Sequence, residues 1–305
     1  MVLRYSKILV GACAILVMAL ELCSIYVVRH YSVTFTRVSR QFSEAVKMRP
    51  APPGEPTSVL MVGNSLLLYG VDVDRLHTLT SNSLQIYPIF MEGTGYFDWL
   101  YGLRHLFRQG ARPQVVVAGL EANSSLANGV SEESPMLLFD SRDVLGVASD
   151  LKLDRTETTS LWLSHVSAFW GLRTFFRRRI FRHLIPHYES LFPFMRPDLV
   201  ASHGADDATL MARLRTLRDL CEAHGAKLIV VIPPTPSSES AVREMATAAQ
   251  KVGVETLVPI GPNVLSAKFY QSDLIHLNSE GAVRFTLVLA ADLPKSVMAV
   301  TDHAS

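Results

Sequence analysis

Two rhythms of apolar and polar positions divide this chain. From Ile8 to Val28 run 21 residues in which Glu21 is the one charge. As a helix that run reaches roughly 30 Å, the depth of a bilayer's hydrocarbon core. From residue 57 onward the pattern changes to short apolar runs alternating with segments of helical spacing. The runs at 58–63, 84–89, 114–120, 227–232 and 254–259 have the length and continuity of strands buried on both faces. The segments at 68–81, 97–109, 208–224 and 238–251 carry the spacing of amphipathic helices. The pattern predicts a three-layer α/β/α sandwich with a flavodoxin-like parallel sheet of about five strands, preceded by one N-terminal transmembrane helix.

The same pattern sets the organisation. Residues 1–29 read as a membrane anchor and 30–56 as a juxtamembrane segment ending in a stiff linker, Pro50-Ala51-Pro52-Pro53-Gly54-Glu55-Pro56. Residues 57–298 form the α/β domain, with 124–205 as an insertion that breaks the alternation and overhangs the carboxyl edge of the sheet. A cleaved signal peptide is the rival for the first segment. Its apolar core is normally about 7–15 residues, shorter than this run, and no small-x-small site follows. Leu20-Glu21-Leu22 before Cys23 also lacks the small residues of a lipoprotein signal, so an uncleaved single-pass anchor is expected. Charge leaves its orientation open, because Arg4 and Lys7 precede the span while Arg29, Arg37, Arg40, Lys47 and Arg49 follow it.

Composition adds exclusions. With 49% hydrophobic and 19% charged residues over 305 positions, the chain can bury one sizeable core, and a net charge of +1 offers no global attraction to nucleic acid. Cys13 and Cys23 lie in the span and Cys221 stands alone, so no disulfide forms within the domain. No glycine-rich nucleotide pattern follows a strand, and His183, His187 and His203 are too loosely spaced for a metal site; neither cofactor nor metal is expected. Trp162 and Trp170 are expected in the core. The stretch Arg173 to His183 mixes arginines with phenylalanines. It reads either as a dock for anionic lipid or acidic glycopolymer, or as a helix whose phenylalanines pack down and whose arginines stay in water.

The candidate chemistry sits at the two ends of the domain. Ser58-Val59-Leu60-Met61-Val62-Gly63-Asn64-Ser65 reads as a buried strand delivering a serine into a turn, with Gly63 removing bulk where the backbone bends. That places Ser65 at the carboxyl edge of the sheet, where ligands bind in open α/β folds. A serine hydroxyl needs a base, and a histidine base needs a third group to fix its tautomer. Asp273-Leu274-Ile275-His276 supplies both within one turn, followed by Asn278 or Ser279 as the N-cap of a last helix.

The two blocks together resemble the SGNH, or GDSL, hydrolase superfamily, whose nucleophile follows the first strand and whose D-x-x-H block precedes the last helix. The resemblance spans about residues 57 to 295. It implies Ser65 as nucleophile, His276 as general base and Asp273 as its orienting partner. It further implies an oxyanion hole from the N–H groups of Ser65 and Gly95, with Gly93 next, and from Asn123. The chain departs from the pattern at Asn64, where the family has Asp, and at Glu121, which holds the place of the family's asparagine two residues before Asn123. Glu92 and Glu121 are expected to face solvent. The activity implied is that of a serine esterase or O-acyltransferase on acyl esters of a cell-envelope glycan or polysaccharide. By the same resemblance, the domain would lie outside the cytoplasm of a bacterium. Its partners would be an acylated glycan or small ester, the membrane, and other envelope proteins. The alternative is a non-catalytic scaffold in a polysaccharide export or modification assembly; a phosphodiesterase or lipase acting on membrane lipids is a third reading.

Overall fold

The structure, a computed structural model, describes residues 2–186, 207–235 and 239–302. His187 and His203 lie outside the described residues, as does the last part of the expected insertion. By contacts the chain divides into two units, one of residues 1–39 and 132–194, the other of 40–131 and 195–305. The insertion therefore groups from residue 132 onward with the N-terminal helix.

The second unit is built on five parallel strands, β1 (Thr57–Gly63), β2 (Leu84–Phe90), β3 (Val115–Gly119), β4 (Lys227–Val231) and β5 (Glu255–Leu257), in the order β2-β1-β3-β4-β5. Helices α3 (Ser65–Gly70), α4 (Val73–Thr80), α5 (Tyr96–Arg108), α6 (Ala122–Leu126), α12 (Asp207–Glu222), α13 (Glu239–Lys251) and α14 (Ser279–Asp302) complete it. This is the three-layer α/β architecture that the apolar runs predict. Alternation along the central strands divides the core. Val59, Met61, Val115, Val117, Ile229 and Val231 pack with Leu67, Leu76, Phe285, Leu289, Leu293 and Val297 on the face that carries α4 and α14.

Two elements differ from expectation. The predicted helix over 68–81 is two helices, because Asp72 caps a new one by accepting from Arg75 N, and its own N–H donates to Thr286 Oγ1. The last strand stops at Leu257 rather than 259, since Pro259 has no N–H to continue a ladder. The edge strand β2 is protected along its open side. Met91 N–H donates to Gly63 C=O, so Phe90, Pro88 and Ile86 turn their backbone groups outward. Pro88 offers no donor there, Gln41 Oε1 receives the Phe90 N–H, and His77 Nε2 donates to Ile86 C=O at 2.7 Å.

The first unit holds α1 (Val2–Tyr31), with a stretch from Tyr5 to Tyr31 long and apolar enough to cross a membrane, and the helices α7 (Ser134–Leu137), α8 (Ser141–Asp150), α9 (Arg155–Val166), α10 (Ala168–Gly171) and α11 (Arg173–Leu184). α2 (Val33–Val46) joins the two stretches of chain. Trp162 and Trp170 are 36% and 38% exposed rather than in a core, and α11 buries none of its residues.

Candidate active site

Gly63 and Gly119 are register partners on β1 and β3. A Cβ at either position would collide with Leu67, at 2.7 Å from its Cδ1 for residue 63 and 2.3 Å for residue 119. The two glycines thus leave a hollow in the sheet that accepts the fully buried Leu67 side chain. Leu67 stands two residues after Ser65, so this fit sets where α3 begins. Gly63 serves that close approach; its φ is not among the left-handed ones. Asn64 caps the helix through Oδ1, which accepts from Leu66 N at 2.9 Å. Its carbonyl side chain does the capping work an aspartate would do, without a charge beside the nucleophile. Ser65 is the first helical residue, half-buried, and its N–H has no partner among the described residues.

The opposing group arrives from 211 residues away. Residues 270–277 form a loop closed at its base by a Tyr270–Leu277 bridge, with Gln271 N donating to His276 C=O at 2.7 Å. Asn278 Nδ2 donates to Lys268 C=O, while Asn278 Oδ1 accepts from Glu280 N and Gly281 N, so Asn278 is the N-cap of α14. Gly281 is needed because a Cβ there would lie 2.3 Å from Phe269 C=O. At the tip, Asp273 Oδ1 accepts from the N–H groups of Ile275 and His276 at 2.8 and 3.0 Å, which holds Leu274 at a left-handed φ of 57°. Such a conformation costs a non-glycine residue about 1 kcal/mol or more. Asp273 Oδ2 remains for His276 Nδ1, 2.6 Å away.

His276 Nε2 lies 2.8 Å from Ser65 Oγ. Since the carboxylate can only accept, Nδ1 carries the proton toward Asp273 and Nε2 is left to accept from the serine hydroxyl. Both side chains of the His276–Asp273 pair are 20% exposed. Burial works against the charge on Asp273, but the hydrogen bond from His276 and the two backbone N–H groups outweigh it and hold the carboxyl below its ordinary range. Tyr69, on α3 and 43% exposed, meets the His276 ring edge-on at 5.1 Å between centroids.

The expected oxyanion donors are distributed differently. Gly95 caps α5, and its N–H donates to Asp98 Oδ2 at 2.8 Å, so that donor is already engaged. Gly93 has a φ of 71°, is exposed, and its N–H has no partner among the described residues. The Met91-to-Gly63 hydrogen bond ties its turn to the end of β1, two residues before Ser65. Asn123 is exposed in the first turn of α6 and lines a small crevice with Ile232, Ala241 and Met245, on the β4 side of β3 and away from β1. Glu121 lines the same crevice, half-buried, and desolvation there pushes its carboxyl up, so it does not simply face solvent. Glu92 is half-buried.

Sequence reasoning missed Arg213. Its guanidinium donates to the carbonyls of Ser125 and Ala127 and to Asn128 Oδ1, and stacks on Tyr96 and Phe97 with its carbon 5.0 and 4.9 Å from the ring centroids. It thereby joins the turns after β2 and β3, a contact with no sequence signal because the arginine comes from a distant helix. A concavity of about 790 Å³ runs along the β2 edge between Gln41, Asp74, His77 and Tyr87 and includes none of these site residues. Among the described residues no cluster of His, Cys, Asp and Glu is arranged to hold a metal ion.

No protein-family model matches the chain, and no curated protein matches it in sequence. Solved structures similar to it include an α/β hydrolase from the metagenome of Lake Arreo, Spain, at 10% identity over 78% of this chain and 95% of that one, with a TM-score of 0.42. TesA matches at 14% identity over 78% and 98%, with a TM-score of 0.42. A catalytic mutant of an acetylxylan esterase from Geobacillus stearothermophilus matches at 10% identity over 78% and 94%, with a TM-score of 0.43. These are loose likenesses of fold.

Proposed function

We propose that this chain is a serine esterase or O-acyltransferase of the SGNH type, acting through Ser65, His276 and Asp273. The observation that carries the reading is the unbroken line of contacts from Ser65 Oγ through the His276 ring to Asp273, at 2.8 and 2.6 Å. In this reading Ser65 Oγ attacks the ester carbonyl carbon while His276 Nε2 takes the hydroxyl proton. Asp273 holds the ring in the accepting tautomer and stabilises the imidazolium. The free N–H groups of Ser65 and Gly93 receive the developing oxyanion; each such donor is typically worth a hundredfold to a thousandfold in rate, on the order of 3 to 4 kcal/mol. Collapse breaks the ester C–O bond, and the departing alcohol leaves with the proton from His276. The acyl-enzyme is then attacked either by water, which makes an esterase, or by a sugar hydroxyl, which makes an acyltransferase.

The substrate class we favour is an acyl ester of a cell-envelope glycan, with the chain anchored in the membrane through α1 and its α/β unit outside the cytoplasm. Support is the apolar run of α1 and the half-buried Ser65–His276 pair at the carboxyl edge of the sheet. The test is turnover of p-nitrophenyl acetate and labelling by a fluorophosphonate probe. Wild type should do both, and Ser65→Ala neither; a folded wild-type protein that does neither would refute the reading.

A second reading, a non-catalytic scaffold for a polysaccharide assembly, draws on the engaged Gly95 N–H and on Glu121 in the place of an amide donor. Cells carrying Ser65→Ala separate the two. Loss of acylation phenotype supports the enzyme, and full function supports the scaffold.

A further inference from the structure

The stretch from Ser167 to Arg179 makes polar contacts with α1 at a place where α1 is otherwise apolar. Glu21 accepts from Ser167 Oγ at 2.7 Å, from Ala168 N at 2.5 Å and from Phe169 N at 3.3 Å. Further along, the Arg179 guanidinium carbon lies 4.8 Å from the centroid of the Tyr31 ring. The intervals from 21 to 31 and from 168 to 179 are both roughly 15 to 17 Å when helical. Residues 168–179 therefore run beside the last third of α1 in the same direction.

That position matters because a carboxylate within an apolar span is costly unless partnered. The stretches Ile8–Val28 and Tyr5–Tyr31 both centre on Met18. Glu21 is about 5 Å from that centre along the axis, inside a half-core of about 15 Å. The turn that satisfies Glu21 is thus brought to the lipid. The side chains around it fit: Val166 is 62% exposed, Phe169 46%, Ile180 52% and Leu184 72%, alongside the exposed Trp162 and Trp170. The inward side of α9 is held by the buried Leu161 and Ser164 and by His165, whose Nδ1 meets Pro135 C=O and Nε2 meets Ser141 Oγ. Arg177, Arg178, Arg179 and Arg182 are exposed on α11 among its aromatics, the composition of an interfacial helix on anionic lipid.

We infer that α9–α11 is a second membrane-contact element, a platform seated beside α1 in the leaflet that the C-terminal end of α1 enters. Val166, Phe169 and Trp170, beside the Glu21 level, and Trp162 on α9 face the acyl chains, and the α11 arginines lie on anionic headgroups. The inference rests on α1 spanning the bilayer, as proposed above. It decides between the two readings of the Arg173–His183 stretch in favour of lipid.

The three tryptophans allow a direct test, since Trp99 is 1% exposed and serves as an internal reference. The full chain is placed in nanodiscs whose acyl chains carry bromine, a short-range quencher. Emission should fall, the fall should largely disappear in the Trp162→Phe, Trp170→Phe double variant, and it should be smaller for Arg177→Gln, Arg178→Gln, Arg182→Gln when the lipid is anionic. Alkaline carbonate extraction of native membranes is run in parallel. A chain released by carbonate would refute the spanning reading and this inference with it. A chain retained in the membrane whose tryptophans respond to aqueous acrylamide and not to bromolipid would overturn the platform alone. Protection from both quenchers, or quenching changes that follow an added acidic polysaccharide instead of bromolipid, would assign the surface to a protein or a glycan and overturn it as well.

Discussion

The two carboxylate oxygens of Asp273 do different work, one closing the loop backbone and the other orienting His276. Asp273→Asn should keep the first and reverse the second. Its Oδ1 still accepts from Ile275 and His276 N–H, whereas its amide presents a donor to Nδ1 and drives the imidazole proton to Nε2, where it blocks proton uptake from Ser65. A fall in kcat of roughly a thousandfold to ten-thousandfold is expected with circular dichroism unchanged; a change within tenfold would mean that His276 is not the base. The lowered Asp273 carboxyl also stabilises the fold. That contribution is complete above the ordinary carboxylate value and is lost as pH falls through the depressed folded one. Glu121 has the opposite sign. Desolvation raises its carboxyl, and the groups facing it, Ala122, Asn123, Ile232, Ala241, Val242 and Met245, do not titrate. Stability is therefore lost as pH rises from the ordinary glutamate value, about 4.3, to the raised one, and stays lower beyond it. Glu121→Gln should raise the Tm at pH 7 with an advantage that vanishes below about pH 4; an equal advantage at both pH values would rule out the charge as its cause.

At the scale of elements, α3 is aimed by the sheet beneath it. Its six residues are too few to hold a helix alone, and the Leu67 side chain in the Gly63–Gly119 hollow does the anchoring. Gly119→Ala should displace Leu67, cost about 1–3 kcal/mol by overpacking, and reduce kcat further than the stability loss alone accounts for. Leu67→Val in the same chain should recover part of both. If Gly119→Ala lowers Tm yet leaves kcat unchanged, the hollow does not position Ser65. The central strands β1, β3 and β4 were legible because both their faces are buried, which leaves continuous runs such as Val115-Val116-Val117. The split between α3 and α4 was not, since the cap at Asp72 depends on Thr286 from the opposite end of the domain. Gly95 differs from expectation for a local reason. A glycine at a strand end signals an available N–H, but the helix that follows brings Asp98 back to occupy it.

The α/β unit joins its own two ends, with α14 packed against both α3 and α4. Cys221, fully buried on α12 with its thiolate strongly disfavoured by desolvation, reports instead on the layer that α12 forms with α5, α6 and α13. In a Cys13→Ser, Cys23→Ser chain, a maleimide should not react with Cys221 until the α/β unit unfolds, with labelling and loss of circular dichroism sharing one transition. Labelling well before that transition would show that α12 opens on its own. Read without coordinates, the residues already determine the strand count, the parallel sheet, the apolar N-terminal run, and Ser65, Asp273 and His276 as candidates. Those features come from local composition and spacing, which burial and backbone geometry dictate residue by residue. Only the fold decides that Ser65 Oγ meets His276 Nε2, that Glu121 is desolvated, and that Glu21 finds its donors on the turn at Ser167. Each of these depends on residues distant in sequence reaching one point, and no local pattern encodes where a remote side chain arrives.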